Sequence, residues 1–259
     1  MNPLLLSDIF ITILNNLPTI DEIIYLELLS KYHQYTIRNY GWTKNLVIKN
    51  NTFLKYIIEN YNLRNLFINN NIDVNIFIKQ LGKSQKLYLF YTNITDESVK
   101  ELRYCHTLGL SYTNITDNDV KELKNCHTLH LSYTNIGDES VKELFDCHTL
   151  DLRKTNITDF SIKKLKNCYE LDLSETAVTD DNLKELINCH TLWLNGTNVT
   201  DNGVKLLKNC QQLYLTGKNI SDEGVGELFS CQKLYLHNTR VTDSCMNKLR
   251  SHGCTVINY

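Results

Sequence analysis

From residue 87 onward, apolar and polar positions recur in one order at one interval. Leu87, Leu108, Leu129, Leu150, Leu171, Leu192, Leu213 and Leu234 stand 21 residues apart. Each opens the word Leu-x-Leu-x-x-Thr-x-Ile-x-Asp-x-x-Val-x-x-Leu-x-x-Cys with little change. Alternation through Leu87, Tyr88 and Leu89 predicts a short strand with the leucines inward and Tyr88 and Phe90 outward. Val99 and Leu102, three apart, predict a short helix turned to the same core. A unit this small buries its apolar face only against its neighbours, so the units must stack as an α/β repeat solenoid. Parallel strands should line a concave face and short helices a convex one. With strands about 4.8 Å apart, some nine rungs would make an arc of roughly 40 Å.

The repeated polar positions have structural work to do. Thr92, Thr113, Thr134, Thr155, Thr176, Thr197 and Thr239 form a column whose hydroxyls can satisfy amides of a buried turn. Lys218 interrupts it and predicts a looser seventh unit. Asp96, Asp117, Asp138, Asp159, Asp180, Asp201, Asp222 and Asp243 precede each helix and fit caps or first-turn anions. Of the nine cysteines, seven share one repeat position, which predicts a buried ladder of small apolar groups and weak S–H donors. Cys245 and Cys254 fall off that column and are the expected reactive pair. Cys105-His106, Cys126-His127, Cys147-His148 and Cys189-His190 carry zinc-ligand types. Residues one per rung cannot converge on one ion, however, and Tyr169, Gln211 and Gln232 replace the histidine elsewhere, so no metal is expected and the imidazole reads as dispensable.

Residues 45–86 read as degenerate first units. Leu46-Val47-Ile48 and Leu66-Phe67-Ile68 resemble the repeat strand, while Asn71, Asn75 and Ser84 replace the threonine, aspartate and cysteine. Residues 87–259 hold eight full repeats and a terminal strand. The first forty-odd residues have a different, helical rhythm. Ser7 can cap a helix carrying Ile9, Phe10, Ile13, Leu14 and Leu17, which Pro18 stops. Thr19 to Glu22 fits a capping box ahead of Ile23, Ile24, Leu26, Leu28 and Leu29. Ser30 can cap a third segment, Lys31 to Tyr40.

Composition narrows the function. The chain has 259 residues, 42% of them hydrophobic, and a net charge of −2, enough for a sizeable core without a basic field for nucleic acid or anionic lipid. No apolar run is long enough to span a bilayer. The Leu4–Leu14 stretch contains Asp8, has no basic residue before it and no small-residue cleavage site after it, so it is not expected to act as a secretion signal. The Asn-x-Thr/Ser triplets at Asn93, Asn114, Asn156, Asn198 and Asn219 are products of one repeated word. The periodic cysteines fit a reducing compartment, and a cytoplasmic protein is expected. No phosphate loop or nucleophile–base pair stands out, so neither an enzyme nor a cofactor is expected.

Recognition remains, and the outward strand positions carry it because packing leaves them free to vary. One row reads Tyr88, Gly109, His130, Asp151, Asp172, Trp193, Tyr214 and Tyr235. The next reads Phe90, Ser111, Ser132, Arg153, Ser174, Asn195, Thr216 and His237. Aromatic residues gather at both ends, with small and acidic residues between. Tyr88, Phe90, Arg153, Trp193, Tyr214 and Tyr235 are the expected substrate-binding residues.

Two family resemblances follow. The repeat is similar to cysteine-containing leucine-rich repeats, though shorter. Leu5, Ser7, Asp8, Ile9, Ile13, Leu14, Leu17, Pro18, Asp21 to Ile24, Leu28 to Lys31 and Trp42 together resemble an F-box, over roughly residues 3–46. The pairing implies a leucine-rich-repeat arc preceded by a three-helix F-box-like module at residues 1–44. It implies a non-catalytic adaptor that docks on a Skp1-like protein of a cullin ubiquitin ligase through Leu5, Ile9, Leu17, Pro18, Ile23 and Leu29. A protein substrate would then occupy the concave face. The alternative is a repeat scaffold in which residues 1–44 only cap the stack. The Asn-, Ile- and Lys-rich composition resembles that of proteins from giant DNA viruses of protists, for which the compartment would be the host cytoplasm or nucleus.

Overall fold

A computed structural model of the chain describes residues 46–48, 54–55, 58, 65–68, 72–144 and 146–259. The expected N-terminal helices, with Leu5, Ile9, Leu17, Pro18, Ile23 and Leu29, lie outside these residues. Among the described residues eleven strands form one sheet in chain order. They are β1 (Leu46–Ile48), β2 (Asn65–Ile68), β3 (Lys86–Tyr88), β4 (Thr107–Gly109), β5 (Thr128–His130) and β6 (Thr149–Asp151). After them come β7 (Glu170–Asp172), β8 (Thr191–Trp193), β9 (Gln212–Thr216), β10 (Lys233–His237) and β11 (Thr255–Asn258). Every neighbouring pair is parallel. The 21-residue step sets the register from Leu66 against Leu87 to Leu213 against Leu234. Strand β1 joins in spite of a step of 20 and β11 in spite of one of 22, because Leu46 pairs with Leu66 and Val256 with Leu234. The sheet therefore has two more rungs than the nine expected.

Burial follows the repeat. Leu87, Leu89, Val99, Leu102 and Cys105 of one unit are at most 1% exposed, and their copies are buried in turn. The helical side of most units is one α-turn, as at Asp96–Val99, tightened there into a 3₁₀ turn at Lys100–Leu102, and at Leu183–Leu186 it is a 3₁₀ turn alone. Twenty-one residues leave no room for more once a strand and two turns are made. The last helix, Asp243–Ser251, extends to nine residues.

The polar columns bond differently from the expectation. The threonine hydroxyls donate to a carbonyl three residues back in their own unit, Thr113 to Leu110 and Thr155 to Leu152 at 2.6 Å each. They satisfy an acceptor, not an amide. The helices are capped by the preceding residue, Thr158, Thr200, Ser221 or Thr242. Asp117, Asp138, Asp159, Asp201 and Asp222 are the first helical residues of their units, Asp180 stands just before a 3₁₀ turn, and all six reach to the next unit. Asp138 accepts the Thr158 amide at 2.9 Å and its hydroxyl at 2.6 Å. Asp201 does the same for Ser221, and Asp222 for Thr242. Asn75 performs this role in an early unit, accepting the Thr95 amide at 3.0 Å.

A further column was not expected from the sequence. Tyr91, Tyr112, Tyr133, Lys154 and Glu175, 21 apart, have φ between 52° and 61°, and Gly196, Gly217 and Asn238 continue the series. A left-handed residue closes each strand and turns the chain towards the helix. At Gly217 φ opens to 113°, a value only glycine takes easily, and the strands on either side run to five residues. The rung of Lys218 is thus not looser: β9 and β10 pair over their full length. Lys218 turns outward, its Nζ 3.4 Å from the Thr239 carbonyl.

Candidate recognition surface

The register brings the outward row together on the concave face, each residue opposite the next: Phe67, Tyr88, Gly109, His130, Asp151, Asp172, Trp193, Tyr214, Tyr235 and Ile257. The six expected binding residues fall into three groups. Tyr88 stacks on Phe67 at 4.2 Å, with Phe90 5.5 Å away and His130 at 6.1 Å. Gly109 makes this cluster possible, since a Cβ there would lie 2.6 Å from Phe90 and 2.7 Å from Tyr88. At the other end Trp193, Tyr214 and Tyr235 stack at 4.9 and 4.0 Å, so these rings stabilise one another while remaining half-exposed. Beside them opens a shallow cavity of about 260 Å³, lined by Asn195, Tyr214, Thr216, Tyr235, His237 and Tyr259 among others. Burial and the neighbouring Tyr235 hydroxyl push the Tyr214 phenol up to about 12. Tyr88 and Trp193 are five rungs apart, about 24 Å at the usual strand spacing.

Between the aromatic ends lies an acidic centre. Asp151 and Asp172 are adjacent, with His130 Nδ1 3.9 Å from the Asp151 carboxylate. Each accepts an amide two residues on, Arg153 at 3.0 Å and Ser174 at 2.8 Å. Burial, with Asp151 alongside, holds the Asp172 carboxyl above the ordinary aspartate range. Arg153 does not neutralise the pair by contact: its Nε donates to Glu175 at 2.9 Å, and a second guanidinium nitrogen bonds the same carboxylate. Lys154 Nζ, 3.2 Å away, completes that network.

The second outward row is less open than expected. Ser111, Ser132 and Ser174 are buried. The Ser132 hydroxyl donates to that of Ser111 at 2.9 Å, and the Ser174 hydroxyl makes no well-formed hydrogen bond.

Two ring ladders flank the strands, and both carry a signal in the 21-residue spacing of aromatic residues. Tyr91, Tyr112 and Tyr133 stack at 4.3 and 4.2 Å on the left-handed column. At the strand entrances His106, His127, His148, Tyr169 and His190 stack at 4.4–4.7 Å. The histidines after the cysteines are therefore members, with Tyr169, of a continuous stack, while Gln211 and Gln232 hold the same position in later units. Among the described residues no three His, Cys, Asp or Glu side chains are placed to hold a metal ion. The seven ladder cysteines are at most 2% exposed, and burial pushes the thiols of Cys105, Cys147, Cys168 and Cys210 up to about 12. Cys147 donates weakly to the Cys126 carbonyl at 3.2 Å. Cys245 and Cys254 are buried too, so the expected pair is not exposed; burial raises the Cys245 thiol, whereas Cys231 against Cys254 holds the Cys254 thiol below its ordinary value.

Residues 127–145 match a family model described as "Leucine Rich repeat". The fold is a leucine-rich-repeat arc. Among solved structures it is similar to internalin C2 of Listeria monocytogenes, with 26% identity and a TM-score of 0.56 over 70% of this chain and 84% of that one. It is also similar to the internalin inlF of the same organism, with 17% identity and a TM-score of 0.60 over 78% of this chain and 69% of that one. A third similar chain is that of TLR13 in its complex with ssRNA13, with 20% identity and a TM-score of 0.56 over 76% of this chain and 32% of that one. No curated protein matches the chain. No described helix is long and apolar enough to cross a membrane.

Proposed function

We propose that this leucine-rich-repeat chain is a non-catalytic recognition protein that holds a protein target on its concave face through Tyr88, Phe90, Arg153, Trp193, Tyr214 and Tyr235. One observation carries the reading. Positions that pack repeat from unit to unit, whereas the outward row changes at almost every rung and concentrates half-exposed aromatic rings at its two ends. Rings of that kind, part buried and part wet, are the usual anchors of protein interfaces. In the finer form of the proposal the chain is a substrate adaptor of a Skp1–cullin–F-box ligase acting in the cytoplasm, with residues 1–44 docking on the Skp1-like partner. That form rests on the N-terminal sequence motif. A second reading has residues 1–44 only covering the stack, and its support is the position of β1, the first strand of the sheet, directly after them.

Two experiments test these readings. The double variant Trp193→Ala, Tyr214→Ala should keep the circular dichroism spectrum, melt somewhat earlier for loss of the ring stack, and lose capture of a target isolated with the intact chain. Capture unchanged by the double variant would remove the concave face from the function. Full-length protein should bind a purified Skp1 homologue and residues 45–259 should not. If neither binds and the truncated chain melts earlier, the capping reading replaces the adaptor.

A further inference from the structure

The acidic centre and the aromatic strip meet at one rung, and their juncture is specific about what it can take. Asp172 on β7 is the direct neighbour of Trp193 on β8. One face of the Trp193 indole is covered by Tyr214, at 19° between planes, and the opposite face is turned to the rung of Asp172, where no ring stands. Next to that free face is a half-buried carboxyl with Asp151 as its other neighbour, and the donors beside it are the Ser174 amide and, more loosely, the Ser174 hydroxyl. The nearest guanidinium, Arg153, is committed to Glu175. The Ser174 hydroxyl, 2% exposed on the same strand two residues on, makes no well-formed hydrogen bond and leans on the Asp172 carboxyl. A carboxylate and an open indole face at one place complement a cation, since the ring and the acid both attract positive charge and desolvation strengthens each. The cavity beside Tyr214 and Tyr235 lies two to three rungs on, about 10–14 Å away, the reach of three or four residues of extended chain.

Resting on the concave-face reading above, we infer that the target is held through an extended segment that places an arginine or lysine between Asp172 and Trp193. The same segment lays an apolar side chain, three or four residues along, into the cavity beside Tyr214 and Tyr235. Asp151 and Asp172 supply the charge complementarity, and the stacked rings supply the apolar contact. Like charges held together without a cation cost stability in the free protein, and the incoming side chain relieves that cost.

The test is selection of a random dodecapeptide display library on the intact chain, followed by titration of the selected synthetic peptides. Enriched peptides should carry a basic residue with an aliphatic or aromatic residue three or four positions away. They should bind about tenfold or more weakly to Asp172→Asn and to Trp193→Ala, and weaken further with added salt. Asp172→Asn keeps an acceptor for the Ser174 amide and removes a like charge, so it should melt no earlier than the parent chain while binding worse, a combination that a packing role would not produce. Peptides that depend on Trp193 and Tyr214 but lack a basic residue and ignore Asp172→Asn would overturn the inference and leave the concave face as the binding surface. Peptides indifferent to all of these substitutions would overturn both. An unenriched library would overturn the linear segment alone, the concave face then being judged by capture of the folded target.

Discussion

Single residues that break a column show what the column does. Ser84 occupies the cysteine position of its unit, is 2% exposed, and its hydroxyl has no partner. A buried hydroxyl without a partner costs about 1–3 kcal/mol, whereas a thiol tolerates the same site. Ser84→Cys should therefore stabilise the protein by about 1 kcal/mol, and Cys147→Ser, the reverse change in mid-stack, should destabilise it by about 1–3 kcal/mol; thermal melting of the two variants checks both signs. Asp119 is a second exception. Ser140 and Ser161, in later copies of that position, donate to the aspartate of the unit before. Asp119 instead brings a carboxyl against Asp96 while accepting the Thr116 amide at 3.2 Å. Burial first, and then Asp96, holds its carboxyl above the ordinary range. A carboxyl raised in the folded state binds its proton more tightly there than when unfolded. Its contribution is fully present below the unfolded value and is lost as pH rises through the folded one. Asp119→Asn keeps the acceptor and removes the like charge, so it should raise Tm at neutral pH, with the advantage disappearing on acidification below the ordinary aspartate value of about 3.9. Equal gains at both pH values would mean the two carboxyls do not repel.

At the scale of the repeat, the joint between units is the aspartate clamp. Asp138 holds the Thr158 amide and hydroxyl and the Ser161 hydroxyl of the next unit. Removing it leaves those groups at a half-buried joint, and hydrogen bonds to a charged acceptor are each worth about 1.5–3 kcal/mol. Asp138→Ala should cost about 2–4 kcal/mol in urea unfolding, and Asp138→Asn distinctly less, because Asn75 already makes this joint with an amide. Equal costs would assign the effect to charge alone. The aspartate column, the leucines and the cysteines were legible in the chain because each repeats without exception over many units. Their bonding partners were less so. Whether an aspartate caps its own helix or clamps the next one depends on how far the units are offset, and spacing along the chain does not contain that offset. The left-handed column was hidden for a related reason: five of its eight members are tyrosine, lysine or glutamate, and only Gly196, Gly217 and Asn238 advertise the backbone. On the candidate surface, the strand alternation placed Tyr88, Phe90, Trp193, Tyr214 and Tyr235 correctly outward. It could not foresee that Arg153 would turn to Glu175, or that Phe67 from an atypical unit would complete the first cluster.

Among the described residues the contacts of weight run between a rung and the next: sheet bonds, clamps, thiol ladder and ring stacks advance one unit at a time, and only the rings around His130 reach across two. Among the described residues no strand pairing ties the ends of the sheet together, so its stability is a chain of neighbour terms and a lesion should stay near its origin. Leu150 on β6 is 1% exposed and packs in the central rungs, where Leu150→Ala removes enough buried volume to cost about 2–5 kcal/mol. Because β9, β10 and β11 pair through their own long register, with the nine-residue helix between β10 and β11, they do not draw on Leu150. Hydrogen exchange of this variant should show protection falling at β5, β6 and β7 and largely retained at β9 to β11. A fall of equal size along the entire sheet would mean that the arc unfolds as one cooperative unit, and that the concave surface, with its two aromatic ends about 24 Å apart, is held together by more than nearest neighbours.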